Sequence, residues 1–184
     1  MMKVIFFKAS VVAMLFLICA CASTVKTVSE DNVASLIQSR FKGKRMVQMD
    51  DLDQDTREYL AESKDMPKSP GSACGDFKGN GKKGCAILLT DSENPKNGAQ
   101  LLVYFDDIDS KDSGFEVVED YTQEKTRRTN IFIQYAKREK IPNRGSGPSF
   151  VQMPRDGISR LAYGQSAFVM FYDGKKFNKV WTAD

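Results

Sequence analysis

From Cys85 to the C-terminus the chain repeats one pattern, and that pattern limits the fold more than anything else in the sequence. Short apolar runs of strand length alternate with polar stretches containing Gly, Asn or Asp. Residues 85–91 (CAILLTD) form a compact apolar run with the length of a buried strand. The stretch 94–98 (NPKNG) turns the chain, and 100–106 (QLLVYFD) reads as the antiparallel partner. Residues 115–120, 130–136, 149–153 and 158–163 are further strands. At the C-terminus, 167–172 (AFVMFY) and 176–182 (KFNKVWT) flank Asp173-Gly174, a favoured turn dipeptide, and predict a hairpin.

Upstream of Cys85 the periodicity is helical. Ser29 caps a helix reaching about Lys42, with Glu30 and Asp31 in its first turn. Val33, Leu36, Ile37 and Phe41 make one apolar stripe, and Gly43 ends it. Residues 44–49 predict a short strand. A second helix is expected over 51–63, with Leu52, Tyr59 and Leu60 on one face, and 67–75 (PKSPGSACG) reads as a loop. The fold class is therefore α+β: two N-terminal helices followed by an antiparallel β meander of about six to eight strands, with one disulfide.

The first 22 residues read as a signal peptide. Lys3 and Lys8 precede the apolar run 9–18, which is too short for a bilayer span of roughly 20 residues. The run closes on Ala20-Cys21-Ala22-Ser23. Ile18-Cys19-Ala20-Cys21 looks like a bacterial lipobox ending at Cys21, the residue that would be acylated, although Cys19 departs from the usual residue at its position. The rival is cleavage after Ala22, which gives a soluble periplasmic or secreted protein. Ala22-Ser23 lacks the Asp that retains lipoproteins at the inner membrane in enteric-type sorting, so an outer-membrane anchor facing the periplasm is favoured. Residues 23–29 form a tether and 30–184 a single α+β domain.

Charge follows from that division. The chain has 27 Lys and Arg against 24 Asp and Glu, and Lys3 and Lys8 leave with the signal, so 25 cationic side chains then face 24 acidic ones. A near-neutral body argues against nucleic acid as partner. There is no histidine, which excludes Ser-His-Asp triads, Cys-His dyads and histidine-ligated metals. Cys74 and Cys85 read as a disulfide in an oxidising compartment, and two isolated thiolates do not make a zinc site.

The stretch 75–89 (GDFKGNGKKGCAILL) resembles the calcium loop of FG-GAP/VCBS-type β-repeats, whose usual form is D-F-N-G-D-G-x-x-D before an apolar strand. Asp76, Phe77, Gly79, Gly81 and the strand match. The segment 172–181 (YDGKKFNKVW) looks like the endings of small exported relatives carrying one copy of that motif. The resemblance implies a calcium site, and Asp76 and Asn80 are the residues that could serve it. Lys78 stands at the third ligand position and Gly84 at the ninth, so the oxygen set a hard cation needs is incomplete. The loop reads as a metal site converted to a staple by Cys74 and Cys85, with no cofactor.

Residues 51–62 share four ligand positions with an EF-hand loop (Asp51, Asp53, Asp55, Glu62). Thr56 and Glu58 break its turn and apolar positions, so the acidic residues read as a helix start. An acidic stretch (Asp106, Asp107, Asp109, Asp112, Glu116, Glu119, Asp120) precedes a basic one (Lys125, Arg127, Arg128, Lys137, Arg138, Lys140). These are solvated faces, complementary contact surfaces, or a carboxylate pair of glycosidase type. No catalytic residue is assigned. The sequence points to an exported envelope lipoprotein acting as a non-enzymatic binding module, with a protein partner in the envelope. The alternatives are a periplasmic immunity or inhibitor protein that neutralises a toxin or hydrolase, and a carboxylate-based envelope hydrolase.

Overall fold

The computed structural model describes residues 30–63, 67, 69–123 and 128–183. Cys21, the tether, Lys125 and Arg127 lie outside them. The long third strand, β3 (Gly84–Asp91), decides the architecture: every residue from Gly84 to Thr90 is buried. A strand buried on both faces needs a layer on each side, which is why CAILLT is a continuous run and not an alternating one.

Helix α1 (Glu30–Arg40) leads into strand β1 (Lys44–Met46). Gly43 lies between them at φ 76°, a left-handed residue that lets the chain reverse. A 3₁₀ turn (Met49–Asp51) and helix α2 (Gln54–Glu62) then interrupt the path before β2 (Ser72–Gly75). Both β1 and β2 pair antiparallel with β3, on its two halves: Met46 opposite Leu89, Ser72 opposite Ile87. The sheet continues through β4 (Ala99–Phe105) to β5 (Phe115–Asp120), which forms its edge. A second antiparallel sheet has the order β11 (Phe177–Ala183), β10 (Ser166–Tyr172), β9 (Gly157–Ala162), β6 (Ile131–Ala136). Between β6 and β9 the chain forms a small hairpin, β7 (Lys140–Pro142) with β8 (Phe150–Gln152).

The two sheets enclose the main core, where Ala86, Leu88, Leu102 and Tyr104 meet Ile131, Ile133, Ile158, Phe168 and Met170. On the opposite face of the first sheet, Cys85, Ile87, Leu89, Val103 and Phe105 pack under Val33, Leu36 and Ile37 of α1. The outer face of the second sheet is covered by the β7–β8 hairpin, through Ile141 and Met153 against Val169, Phe171 and Val180. The order of layers is helix, sheet, sheet, hairpin.

The α+β class, the two helices and the disulfide agree with the sequence. The strand count does not: the described residues contain eleven strands, not six to eight. Strand β2 lies inside the expected 67–75 loop, because its four residues form a strand only by pairing with β3. Strand β7 is three residues long and carries one buried side chain, Ile141, too little for a periodic signal. The expected meander is split into two stacked sheets. α2 begins at Gln54 and not at 51, because Asp53 is its N-cap and accepts the Thr56 amide at 2.9 Å.

The C-terminal hairpin closes through Asp173-Gly174-Lys175-Lys176, with Tyr172 opposite Phe177. The Asp173 carboxylate accepts the amides of Lys175 and Lys176 at 2.7 and 2.9 Å, and its pKa is lowered to about 2, chiefly by the Lys176 amide. An unfolded aspartate titrates near about 3.9. The carboxylate thus stabilises the fold above about pH 4, and that contribution is lost as the pH falls towards the folded value. Asp173→Asn is expected to flatten the melting-temperature profile between about pH 5 and 2 relative to the native chain. An unchanged slope would remove Asp173 from the acid response.

Candidate functional site

The segment joining β2 to β3 carries the family-like motif, and its side chains take three directions. Phe77 points inward and is fully buried, with its ring centroid 6.3 Å from Tyr104 and 5.9 Å from Tyr135. Asp76 is exposed and turns back on its own loop: its two carboxylate oxygens accept the amides of Asn80 at 3.0 Å and Gly81 at 2.9 Å. Asn80 accepts the Lys82 amide at 3.0 Å. The oxygens that would serve a cation are engaged with backbone donors, in the manner of an Asx turn.

Cations of the chain itself lie against this loop. Lys78, at the third ligand position, is ion-paired with Asp106, and its ammonium sits 5.3 Å from the ring centroids of both Tyr104 and Tyr172. Arg155 lies over Gly79: a Cβ added there would come within 2.6 Å of its Nη1. At the ninth position Gly84 makes room for Tyr104, whose hydroxyl would be 2.0 Å from any added Cβ. Burial, followed by the charges of Asp106 and Asp76, pushes the Tyr104 hydroxyl well above its ordinary pKa. Two of the departures from the calcium pattern thus have local causes, an ammonium bound to Asp106 and an aromatic ring in the ligand space. Among the described residues no three Cys, Asp or Glu side chains converge as a metal-holding group. The fit to calcium is poor, and adding Ca²⁺ or a chelator is expected to leave the melting temperature unchanged. An upward shift of several degrees with calcium would reverse that reading.

Cys74 and Cys85 fall directly opposite each other in the β2–β3 register and form a disulfide, with Cα atoms 4.1 Å apart. Cys85 is fully buried under α1. The bridge closes the loop at the strand pair from which it springs.

The EF-hand-like residues also have ordinary duties. Asp51 makes a two-pronged pair with Arg45, at 2.6 and 2.7 Å, which raises the Arg45 pKa, while Asp53 caps α2. Two residues of the acidic stretch pair with the loop before β3: Asp106 with Lys78, and Asp107 with Lys82 at 3.5 Å. Neither pairing joins the acidic stretch to Lys137, Arg138 or Lys140. Lys137 and Arg138 instead join Arg155 around an open recess of about 450 Å³, together with Pro154, Asp76 and Asp156. Asp156 accepts the Tyr135 hydroxyl and the Arg138 amide, which hold its carboxyl below the usual range; burial and Asp156 raise the Tyr135 pKa to about 12.

One polar group between the sheets has no counterpart in the sequence reading. Arg160 of β9 is only 4% exposed, with its guanidinium 5.1 Å from the Phe168 ring. Its Nε and Nη1 donate to the Tyr121 hydroxyl at 3.4 Å and to Ser166 at 3.2 Å. Tyr121 donates to Glu119, which also pairs with Lys179, and the Lys179 ammonium lies 4.5 Å from the Phe168 ring centroid. Burial raises the Tyr121 pKa, against the opposing effect of Arg160. The signal was present but unreadable: Arg160 shares the inner face of β9 with Ile158 and Ala162, and register alone shows which way it points. Arg160→Met is expected to be close to neutral, since apolar volume replaces a buried cation whose partners, Tyr121 and Ser166, are uncharged, and Glu119 keeps Lys179. Glu119→Gln, which leaves Lys179 without its carboxylate and weakens the acceptor of the Tyr121 hydroxyl, is expected to cost about 1–3 kcal/mol in urea unfolding. Equal costs for the two variants would contradict this ordering.

Among the aromatic residues, Tyr104, Phe105, Phe132, Phe168 and Phe171 lie in the core, whereas Tyr135 and Trp181 are 46% and 39% exposed. Compared with protein-family models, with curated proteins and with solved structures, the chain matches none.

Proposed function

We propose that the chain is an exported envelope lipoprotein, anchored through Cys21, whose folded body is a non-enzymatic interaction module. The observation that carries the reading is the Cys74–Cys85 bridge, two cysteines placed opposite each other in a strand pair with one of them fully buried. Disulfides of this kind persist in oxidising compartments, which agrees with a leader of signal-peptide form. The GDFKGNG loop then acts as a rigid corner, a degenerate relative of the FG-GAP/VCBS loop fastened by the bridge and by Lys78.

The test is incorporation of labelled fatty acid in a bacterial host. The native chain is expected to take up label and Cys21→Ser to lose it. An unlabelled product beginning at Ser23 would replace the anchor with the soluble periplasmic alternative. Retention of the full-length chain in the cytoplasm would overturn export altogether.

The inhibitor or immunity reading draws on one specific feature, the exposed Phe115 and Val117 of β5, which lie beside acidic residues on a rigid sandwich. Recovery of one stoichiometric envelope protein by crosslinking would favour it over a general binding module. The hydrolase reading gains least, because Asp106, Asp107 and Glu119 are each held by a lysine.

A further inference from the structure

We propose that the outer edge of β5 accepts an extended, basic segment of a partner protein as an added strand, an inference that rests on the reading of the body as an interaction module. Each sheet of the sandwich has two edges, and among the described residues three of the four meet other parts of the chain; the far edge of the first sheet is shared by β1, which lies against α1, and β2. The β2 side of the first sheet and the β6 edge of the second lie together, with the Ile133 amide bonded to the Pro70 carbonyl at 2.9 Å. The β11 edge receives the Arg144 amide at the Trp181 carbonyl, at 2.8 Å. Strand β5 pairs with β4 alone among the described residues. An unpaired strand of six residues presents a row of backbone donors and acceptors that a further strand can use.

The side chains of β5 define that strand. Phe115 and Val117 share the face towards α1 and are 44% and 45% exposed, and Phe41 packs 5.1 Å from Phe115 to extend the apolar strip. Glu116 and Asp120 are exposed, while Glu119 is turned inward to Lys179. Half of the strand is acidic and none of it basic. A second copy is therefore a poor occupant: antiparallel β5–β5 pairing about its centre would set Glu116 opposite Glu119 and Phe115 opposite Asp120. A strand alternating apolar and Lys or Arg residues matches both faces. The edge charges that discourage self-pairing select for such a partner.

The probe is a labelled synthetic peptide of alternating lysine and valine, compared with its glutamate–valine counterpart and with a lysine–valine peptide carrying a central proline. Binding to the whole chain is followed by fluorescence anisotropy, and its location by amide hydrogen exchange over residues 115–120. The lysine peptide is expected to bind and to slow exchange in β5, while the proline peptide, which lacks an amide for the ladder, binds weakly. Glu116→Lys, an exposed change, is expected to weaken binding about tenfold. Equal binding of the glutamate peptide, protection elsewhere in the chain, or dimerisation of the whole chain through β5 would each overturn the proposal. Peptide binding is read on the purified chain and fatty-acid labelling in cells, so failure of one is distinguishable from failure of the other.

Discussion

Phe77→Ala is expected to destabilise the domain by about 3–5 kcal/mol, the cost of removing a large buried ring from a core that cannot close over the gap. The ring is fully buried between the sheets, in contact with Tyr104 and Tyr135, although its neighbours Asp76, Gly79 and Asn80 are exposed. The surroundings have little freedom to collapse. The loop is pinned at its base by the disulfide and along its length by the Asp76 contacts, and Lys78 ties it to Asp106. Asp76→Ala removes two hydrogen bonds on an exposed loop and is expected to cost only about 1 kcal/mol. Urea unfolding of both variants checks the order. In a working calcium loop the aspartate would dominate, because losing a ligand forfeits the binding free energy of the ion. A larger cost for Asp76→Ala than for Phe77→Ala would therefore restore the metal reading.

The same loop shows where sequence reasoning succeeds. Its strand, β3, was legible because the five residues from Cys85 to Leu89 are all apolar and all buried. Helix α1 was legible because Val33, Leu36 and Ile37 recur at helical spacing against one sheet face. Strand β2 was not, since Gly71, Ser72 and Gly75 are turn residues and only register with β3 makes them extended. The stacking of the sheets was hidden for a different reason. Continuous apolar runs in β3, β4 and β10 require cover on both faces, but nothing local states whether a helix or another sheet supplies it. The charges failed in a third way. Pairing of Lys78 with Asp106 and of Lys179 with Glu119 joins residues far apart in the chain, so the acidic and basic stretches looked like separate surfaces. Opposite signs near each other in sequence are weak evidence of contact when strand pairing and sheet stacking bring distant residues together.

Removing the Cys74–Cys85 bridge, by Cys74→Ala with Cys85→Ala or by reduction, is expected to lower stability by about 3 kcal/mol through the restored freedom of the unfolded loop. The effect should be seen as a lower urea midpoint, and because Cys85 is fully buried under α1, reduction of the folded protein should be slow without denaturant. The cost should also have a location. β2 has four residues and one pairing partner in its sheet, whereas β3 is held on both edges and both faces. Without the bridge, amides of β2 and of the 76–83 loop are expected to exchange faster than those of β3, while the Arg160 group between the sheets stays protected. That distribution would make the disulfide a clamp on one corner of the sandwich. Loss of protection in β2, β3 and β9 at a common midpoint would instead make it a determinant of the whole fold, and the corner formed by Asp76, Phe77 and Lys78 would then owe its shape to the sheets rather than to the bridge.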